Sequence, residues 1–314
     1  MSGRVAAIGA VLLALTTACG TAAPANDGMT ITVSNPANVS NVPLHIAMDE
    51  GYFAAEGLTV KADVDLGSGS TIEAVVGGQV DMAWANVVNV IDVHGKGLGV
   101  RLVAVTDTAV EGAQQVLVPK TSTAKDITDL AGKKVAVLSP TTVCVLGIRA
   151  ALKAKGLPVN AITAVPVAPP EHANVLAGGE VAGTCTSDPF RTQMIDKLGA
   201  RPVFDPSFGE LANYLVGGYV VADKFAKQHP AALAAFQRAL LKATERANAR
   251  PDIVRTALPK FTTINQDIAN RAVINKYVEA KDAALIKTQL QRTADAMLTY
   301  GMVAKPVDTS GLLL

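Results

Sequence analysis

The chain has 314 residues, of which 49% are hydrophobic, and its 28 Lys and Arg residues are balanced by 27 Asp and Glu residues. This near-neutral balance gives no electrostatic footprint for nucleic acid or for an anionic membrane surface. The length is sufficient for one two-lobed protein or for two small domains.

The first residues have the pattern of an export signal. Arg4 precedes an apolar run at residues 5–15, and a small-residue cleavage site follows at 16–19. The run is too short to cross a hydrocarbon core of roughly 30 Å as a helix. We therefore predict a signal peptide at residues 1–18 and, from its small and polar composition, a flexible tether at residues 19–28.

The sequence LTTACG at residues 15–20 resembles the lipobox of bacterial lipoproteins, in which the cysteine is acylated and becomes the new N-terminus. The leucine that usually stands three positions before the cysteine is Thr16 here, and Leu15 lies one position further back. The resemblance implies a lipid anchor at Cys19 on the extracytoplasmic face of the cell membrane. The alternative is an ordinary secretory signal with a chance cysteine.

Strand and helix patterns alternate through residues 29–118. The strands are predicted at residues 29–34, 59–65, 80–84, 100–106 and 115–118, and the helices at 42–51, 70–76 and 87–94. This alternation is typical of an α/β lobe with a largely parallel sheet.

The stretch 67–86 combines a loop of glycine and serine with two helix starts. Ser70 and Glu73 have the spacing of a capping box, and Gly77-Gly78 is a typical helix end. Asn86 is placed to cap the helix that follows the next strand. Two helix N-termini at neighbouring strand ends predict a place that holds a small ligand.

The same pattern restarts after residue 129. Strands are predicted at residues 135–138, 162–167, 181–186, 201–204 and 215–221, and helices at 143–155 and 171–177. Ser187-Asp188-Pro189 opens a further helix, with Asp188 as its cap. The chain therefore holds two similar α/β units in tandem.

The last third has amphipathic helical patterns at residues 230–248, 251–258, 268–279 and 285–300. Each pattern has one polar face and no block of like charges, which indicates helices packed against a lobe. The alternative is a partner-binding helix.

Cys144 and Cys185 are the only cysteines that remain after Cys19. An exported protein with two internal cysteines is a candidate for a disulfide, and we predict one between them. Closing that loop of about 40 residues would stabilise the fold by about 4 kcal/mol in the chain-entropy model.

An ordered series of motifs resembles the solute-binding proteins of ABC importers for nitrate, sulfonates, taurine and thiamine precursors. It consists of PLHIAMDEGYFAAEGL at 43–58, GSGST at 67–71 and GGQVDMA at 77–83, with DLAGKKVAV at 129–137 at the start of the second lobe. The resemblance implies an α/β, type II periplasmic-binding fold with two crossovers, near residues 116–120 and 217–222. Lobe one would comprise residues 29–117 and the helical segment 219–314, and lobe two residues 118–218.

The resemblance also implies the function and the site. A small polar molecule would bind in the cleft between the lobes, and a monomeric protein, without a cofactor or metal, would present it to an ABC permease and its ATPase. The implied ligand-binding residues are Asn35, Val42, Pro43, Ser68, Gly69, Ser70, Thr71, Trp84, Ala85, Asn86, Thr141, Thr142, Ser187, Asp188 and Tyr214. These loops contain no lysine or arginine, which leaves room for a neutral, zwitterionic or cationic ligand.

Several of these residues have an ordinary structural alternative. Ser70, Asn86 and Asp188 could serve only as helix caps. Trp84, the only tryptophan, could serve only in the core.

Two other functional classes remain open from the sequence. An enzyme is disfavoured, because Ser122 and Lys125 have the spacing of penicillin-recognising enzymes without their other motifs, and the four histidines have no metal-ligand spacing. The other alternative is a sensory module that reports the ligand to a membrane receptor or kinase.

Overall fold

The computed structural model describes residues 28–64, 71–207, 209–279 and 283–314. The predicted signal peptide, Cys19, most of the predicted tether and the predicted ligand residues Ser68, Gly69 and Ser70 lie outside the described residues. Within these ranges no helix has the length and apolar character that a membrane crossing requires.

Twelve strands are described. They are β1 (Met29–Ser34), β2 (Leu58–Val64), β3 (Met82–Asn86), β4 (Val100–Val105), β5 (Asp107–Thr108), β6 (Gln114–Val118), β7 (Lys134–Val137), β8 (Thr163–Pro166), β9 (Gly183–Ser187), β10 (Arg201–Phe204), β11 (Gly217–Ala222) and β12 (Lys276–Tyr277).

The described residues also contain twelve α-helices. They are α1 (Val42–Asp49), α2 (Tyr52–Ala55), α3 (Thr71–Val76), α4 (Val87–Gly95), α5 (Val143–Ala154), α6 (His172–Ala177), α7 (Phe190–Leu198), α8 (Asp223–Gln228), α9 (Pro230–Ala249), α10 (Pro251–Phe261), α11 (Gln266–Arg271) and α12 (Ala283–Thr299).

The strands form two five-stranded sheets, in the orders β2-β1-β3-β11-β4 and β10-β6-β9-β7-β8. The prediction of largely parallel sheets is confirmed, because four of the five strands in each sheet run in one direction and only one strand runs against them. In the first, β11 runs antiparallel to both β3 and β4, and in the second, β6 runs antiparallel to both β9 and β10. Strands β6 and β11 each enter a sheet directly after a passage from the other sheet, and each runs against the neighbours that it joins.

The chain passes between the sheets twice. It leaves the first sheet after Val105 and enters the second at Gln114, and it returns between Phe204 and Gly217. The two passages lie side by side, since Thr108 of β5 forms an antiparallel bridge with Leu215.

The C-terminal helices cover the first sheet. Phe236 of α9 is fully buried and stacks on Phe53 of α2, and its ring also meets the edge of Tyr219 on β11. Ile286, Leu290 and Met297 of α12 are buried in a second core cluster on the same sheet. These apolar stripes are the ones that the helical periodicity predicted.

The predicted helix at residues 268–279 is wrong in its second half. Helix α11 ends at Arg271, and residues 276–277 instead form β12, which pairs antiparallel with β5. Two β-branched residues, Val273 and Ile274, follow the helix end and favour extended backbone. The fully buried Tyr277 then anchors the segment by donating its hydroxyl to the Val39 carbonyl at 2.8 Å.

Candidate ligand-binding site

A cavity of about 230 Å³ lies between the two sheets. The first sheet and its loops contribute residues after β1, on β3 and on α4, and the second contributes the loops that precede α5, α6 and α7. The lining residues are Ser34, Pro36, Ala37, Asn38, Val39, Ser40, Thr71, Trp84, Ala85, Asn86, Asn89, Ala109, Ala113, Gln114, Leu138, Ser139, Thr141, Thr142, Ala168, Pro169, Pro170, Cys185, Thr186, Ser187, Phe190, Tyr214, Val216 and Asn275.

Many of the residues that the sequence proposed lie on this lining. They come from both sheets and from the passage between them, which brings together segments more than 100 residues apart. They are Thr71, Trp84, Ala85, Asn86, Thr141, Thr142, Ser187 and Tyr214.

Four other proposed residues lie off the lining and have structural partners. Val42 and Pro43 are buried in the first turn of α1. Asn35 contacts the ring of His45 and accepts the Tyr219 hydroxyl. Asp188 is fully buried, and its carboxylate accepts the backbone N–H groups of Thr192 at 3.0 Å and of Val273 at 2.7 Å. Its lone pairs are therefore used within the protein.

Two helix N-termini with side-chain caps meet at the cavity. Asn86 caps α4 by accepting the Val88 N–H at 3.1 Å, and Thr142 caps α5 by accepting the Val145 N–H at 3.5 Å. Both caps line the cavity. The partial positive charge at a helix N-terminus favours a negative or strongly polar group nearby.

Trp84 forms one wall through close packing against β11. Its ring lies against the backbone at Gly217, where a β-carbon would overlap the indole. The indole N–H donates to Thr106 Oγ1 at 3.1 Å, so its one polar atom is satisfied by the protein. Trp84 therefore offers the cavity an apolar face.

Two polar contacts link the walls. Thr141 donates its hydroxyl to Asn89 Oδ1 at 3.2 Å, which joins the loop before α5 to α4 across the cavity. Tyr214 donates to Gln114 Oε1 at 3.1 Å, and burial raises the pKa of its phenol well above the usual range. Tyr214 is thus a neutral hydrogen-bonding group at neutral pH.

A buried carboxylate lies behind the cavity wall. Asp107, the first residue of β5, is fully buried and accepts hydrogen bonds from Ser40 Oγ at 2.8 Å, Thr106 Oγ1 at 2.6 Å and Asn275 Nδ2. Burial raises the pKa of this carboxyl to about 6, against the lowering effect of the three donors. Asp107 is therefore mostly ionised at pH 7.

The sequence reasoning missed several lining residues, Ser40, Asn89, Gln114 and Asn275 among them. The helix predicted at residues 268–279 includes Asn275. The β-branched residues Val273 and Ile274, which directly precede it, favour extended backbone and are the signal against that helix. Ser40 lies in a short 3₁₀-helix, Val39–Asn41, directly before α1. Its position just before a helix with proline in the first turn was the signal that Ser40 lies near the site.

The predicted cysteine pair is joined in the structure. Cys144 on α5 and Cys185 on β9 form a disulfide with their Cα atoms 6.6 Å apart. The bond ties the N-terminal turn of α5 to the strand that carries Thr186 and Ser187 along the cavity wall.

The lining has no charged side chain among the residues that the structure describes. It contains Trp84, Leu138, Phe190 and Val216, and its polar members are amides and hydroxyls rather than Asp, Glu, Lys, Arg or His. The described residues also contain no group of three His, Cys, Asp or Glu that could hold a metal ion.

Solved structures with a similar fold include binding proteins from several organisms. The alkanesulfonate-binding protein SsuA of Xanthomonas axonopodis pv. citri, bound to MOPS, has a TM-score of 0.76 at 17% identity, covering 94% of this chain and 99% of that one. The nitrate-binding protein NrtA of Synechocystis has a TM-score of 0.70 at 16% identity, over 89% and 83%.

The Candida albicans CA3427 product, described as having the generic periplasmic binding protein fold, has a TM-score of 0.73 at 14% identity, over 91% and 96%. A search of curated protein sequences found no match. These structural likenesses show the periplasmic-binding fold. Residues 38–253, more than half of the chain, match the family described as NMT1/THI5 like. The chain is therefore a member of the NMT1/THI5-like family.

Proposed function

We propose that this protein is the extracytoplasmic solute-binding component of an ABC importer and that it captures a small polar molecule in the cavity between its two sheets. The cavity itself carries this proposal, because both sheets line it and two capped helix N-termini meet there. A site built from two lobes is suited to closing around a ligand. The sulfonate-binding and nitrate-binding proteins of the same fold support the same role.

In this proposal one lobe comprises residues 28–105 and 217–314, and the other comprises residues 114–204, according to the sheet that each strand joins. Outside the cavity the lobes meet through buried and exposed contacts. The buried Asp188 accepts the Val273 N–H, and Val143 and Leu146 of α5 belong to the same buried apolar cluster as residues of α4 and α12. Exposed polar contacts add to these. Arg271 pairs with Asp196 at 2.7 Å, and Arg149 donates to the Gly301 carbonyl at 2.6 Å. A ligand that touches both walls would favour the closed form, because it binds that form better than the open one.

The ligand is held and released without chemical conversion in this proposal. Cys185, the cysteine on the lining, is in the disulfide, and burial keeps Tyr214 protonated. Recovery of an unaltered ligand from the stoichiometric complex, measured by mass spectrometry, tests this point. A chemically changed ligand would contradict it and would favour an enzyme on the same fold.

We also propose that the protein is exported as a monomer and anchored by a lipid on Cys19. The supporting observations are the apolar run at residues 5–15 and the lipobox resemblance at residues 15–20. Replacing Cys19 with Ala should move the protein from the membrane fraction to the soluble fraction of the cells that export it. Retention of the variant on the membrane would contradict the anchor.

A thermal-shift screen tests the binding function. The panel comprises sulfonates, taurine, nitrate, pyrimidines and amino acids, and at least one member should raise the melting temperature in a concentration-dependent manner. A ligand that binds only the folded state stabilises it by RT ln(1 + [L]/Kd), which is about 2.7 kcal/mol at 100 times Kd. The absence of any shift across the panel would contradict the proposal.

A matched pair of variants locates the binding. Asn86 and Asn265 both cap a helix, α4 and α11 respectively, and Asn265 lies off the cavity lining. Each change to Ala should cost about 1 kcal/mol of stability through the lost cap. The ligand-induced shift should disappear in N86A and persist in N265A. An equal response in the two variants would place the ligand elsewhere.

A further inference from the structure

The ionised Asp107 controls the polarity of one patch of the cavity wall. Ser40 Oγ and Asn275 Nδ2 both donate to the same oxygen, Asp107 Oδ2, so these two lining residues lie side by side. Thr106 donates to the other oxygen, Asp107 Oδ1. Every polar hydrogen that these groups direct at Asp107 is unavailable to a ligand.

Ser40 and Asn275 therefore each keep an acceptor atom for a ligand. The Ser40 hydroxyl has one hydrogen, which Asp107 uses, and its lone pairs remain. The Asn275 amide turns its NH₂ group to Asp107, which leaves the carbonyl oxygen on the other side. The carboxylate fixes this orientation, because an ionised carboxylate can only accept hydrogen bonds.

Asn275 Oδ1 is the atom without a partner. The Asn275 residue is 7% exposed, it lines the cavity, and its Oδ1 is a buried acceptor with no hydrogen-bond donor in the described protein. A buried polar atom without a partner is destabilising, so a donor supplied by the ligand would remove that cost. The negative charge of Asp107 directly behind the amide further favours a positively charged donor.

We propose that the ligand of this cavity carries a protonated amine, which donates to Asn275 Oδ1 and Ser40 Oγ, and that its other end is an acidic group held near the helix N-termini at Asn86 and Thr142. This inference rests on the proposed binding function and specifies its ligand class. The ligand is an amino acid or amino sulfonate with an apolar body that fits against Trp84 and Phe190. A simple anion such as nitrate, or a sulfonate without an amine, leaves the Asn275 acceptor unpaired.

Two matched pairs of probes test the inference by isothermal titration calorimetry. The first pair is 3-aminopropanesulfonate and 1-propanesulfonate, and the second is 4-(aminomethyl)benzoate and 4-methylbenzoate. The amine-bearing member of at least one pair should bind the unmodified protein at least about tenfold more tightly, because a hydrogen bond from a charged donor contributes about 1.5–3 kcal/mol.

Asn275→Leu removes the acceptor and keeps a side chain of similar size. In this variant the preference for the amine should fall to about one, while the probe without the amine still binds, which shows that the fold is intact. Asn248→Leu is the matched control, because Asn248 is on α9, holds the backbone of Tyr277 and lies off the cavity lining. It should keep the preference.

Three results would overturn the inference. The first is equal or tighter binding of the probe that lacks the amine, and the second is an unchanged preference in N275L. The third is no binding by any of the four probes, which would exclude this ligand class. In that case the wider thermal-shift panel still decides whether the protein binds a solute at all, so failure of the inference and failure of the proposed function are distinguishable.

Discussion

Opening the Cys144–Cys185 disulfide is expected to lower the free energy of unfolding by about 4 kcal/mol, because the bond closes a loop spanning 41 residues in the unfolded chain. Both half-cystines are buried, so the bond also holds α5 against β9 within the core of the second sheet. Urea denaturation with and without reductant measures the difference on an unchanged sequence.

The variant Cys144→Ala/Cys185→Ala is the control for this experiment. Its free energy of unfolding should not depend on reductant and should be close to that of the reduced wild-type protein. The space left by the two sulfurs should lower it slightly. Thiol counting on denatured, unreduced protein should find neither of these cysteines free. Two free thiols, or a reductant effect below about 1 kcal/mol, would contradict the disulfide and its stabilising role.

Asp107→Asn is expected to change how stability depends on pH. The carboxyl has a pKa of about 6 in the folded protein and about 3.9 when unfolded, so the native state binds more protons between these values. The free energy of unfolding that this group contributes is therefore highest below pH 4 and falls as pH rises to 6. The fall is about 3 kcal/mol at about 1.4 kcal/mol per pH unit.

The measurement is the difference in unfolding free energy between D107N and wild type across pH 4 to 7. The phenols that sense the charge of Asp107 are Tyr214, Tyr219 and Tyr277, and burial raises the pKa of all three, so they stay neutral in this range. The difference should shift in favour of D107N by about 2 kcal/mol between pH 4 and pH 7, because part of the effect is already present at pH 4. A constant difference would show that Asp107 keeps an ordinary pKa.

The same variant should also lose the preference for the amine-bearing probes. An asparagine at position 107 carries no charge and can itself donate, so Ser40 and Asn275 are no longer held as acceptors. If D107N is more stable than wild type at neutral pH and also binds the amine-bearing probes more weakly, Asp107 is a positioning group. It would orient Ser40 and Asn275 for the ligand at a cost in stability. An unchanged amine preference in D107N would show that Asp107 affects the stability of the protein but not its recognition of the amine.

The sequence predicted most of the local structure, because its signals are local. The amphipathic stripes of α9 and α12 and the cap at Asn86 all lie where the pattern indicated. The Gly77-Gly78 turn has the expected left-handed glycine, Gly78 at φ 73°. Each of these features depends on residues a few positions apart.

The polar network behind the cavity could not be predicted in this way. Ser40 lies 67 residues before Asp107, and Asn275 lies 168 residues after it, and only the passage between the sheets brings them together. The strand β12 exists because it pairs with β5, whereas its own sequence continues an apolar pattern compatible with a helix. Tertiary pairing thus decided both the strand and the position of Asn275 on the cavity wall.

The mixed sheets have a similar origin. The direction in which β6 and β11 run depends on how the chain passes between sheets, and a strand pattern contains no information on direction. The alternation of strands and helices indicated the α/β class correctly. It could not reveal that the strand after each passage runs against its new neighbours.

The central claim is that a small molecule binds between the two sheets, and fluorescence of Trp84 tests it most directly. Trp84 is the only tryptophan in the chain and it forms a wall of the cavity, so the tryptophan emission reports on this site alone. A ligand from the thermal-shift panel should change the emission saturably, with one molecule bound per chain and with the affinity found by calorimetry. A ligand that stabilises the protein but leaves the Trp84 emission unchanged at saturation would contradict binding in this cavity.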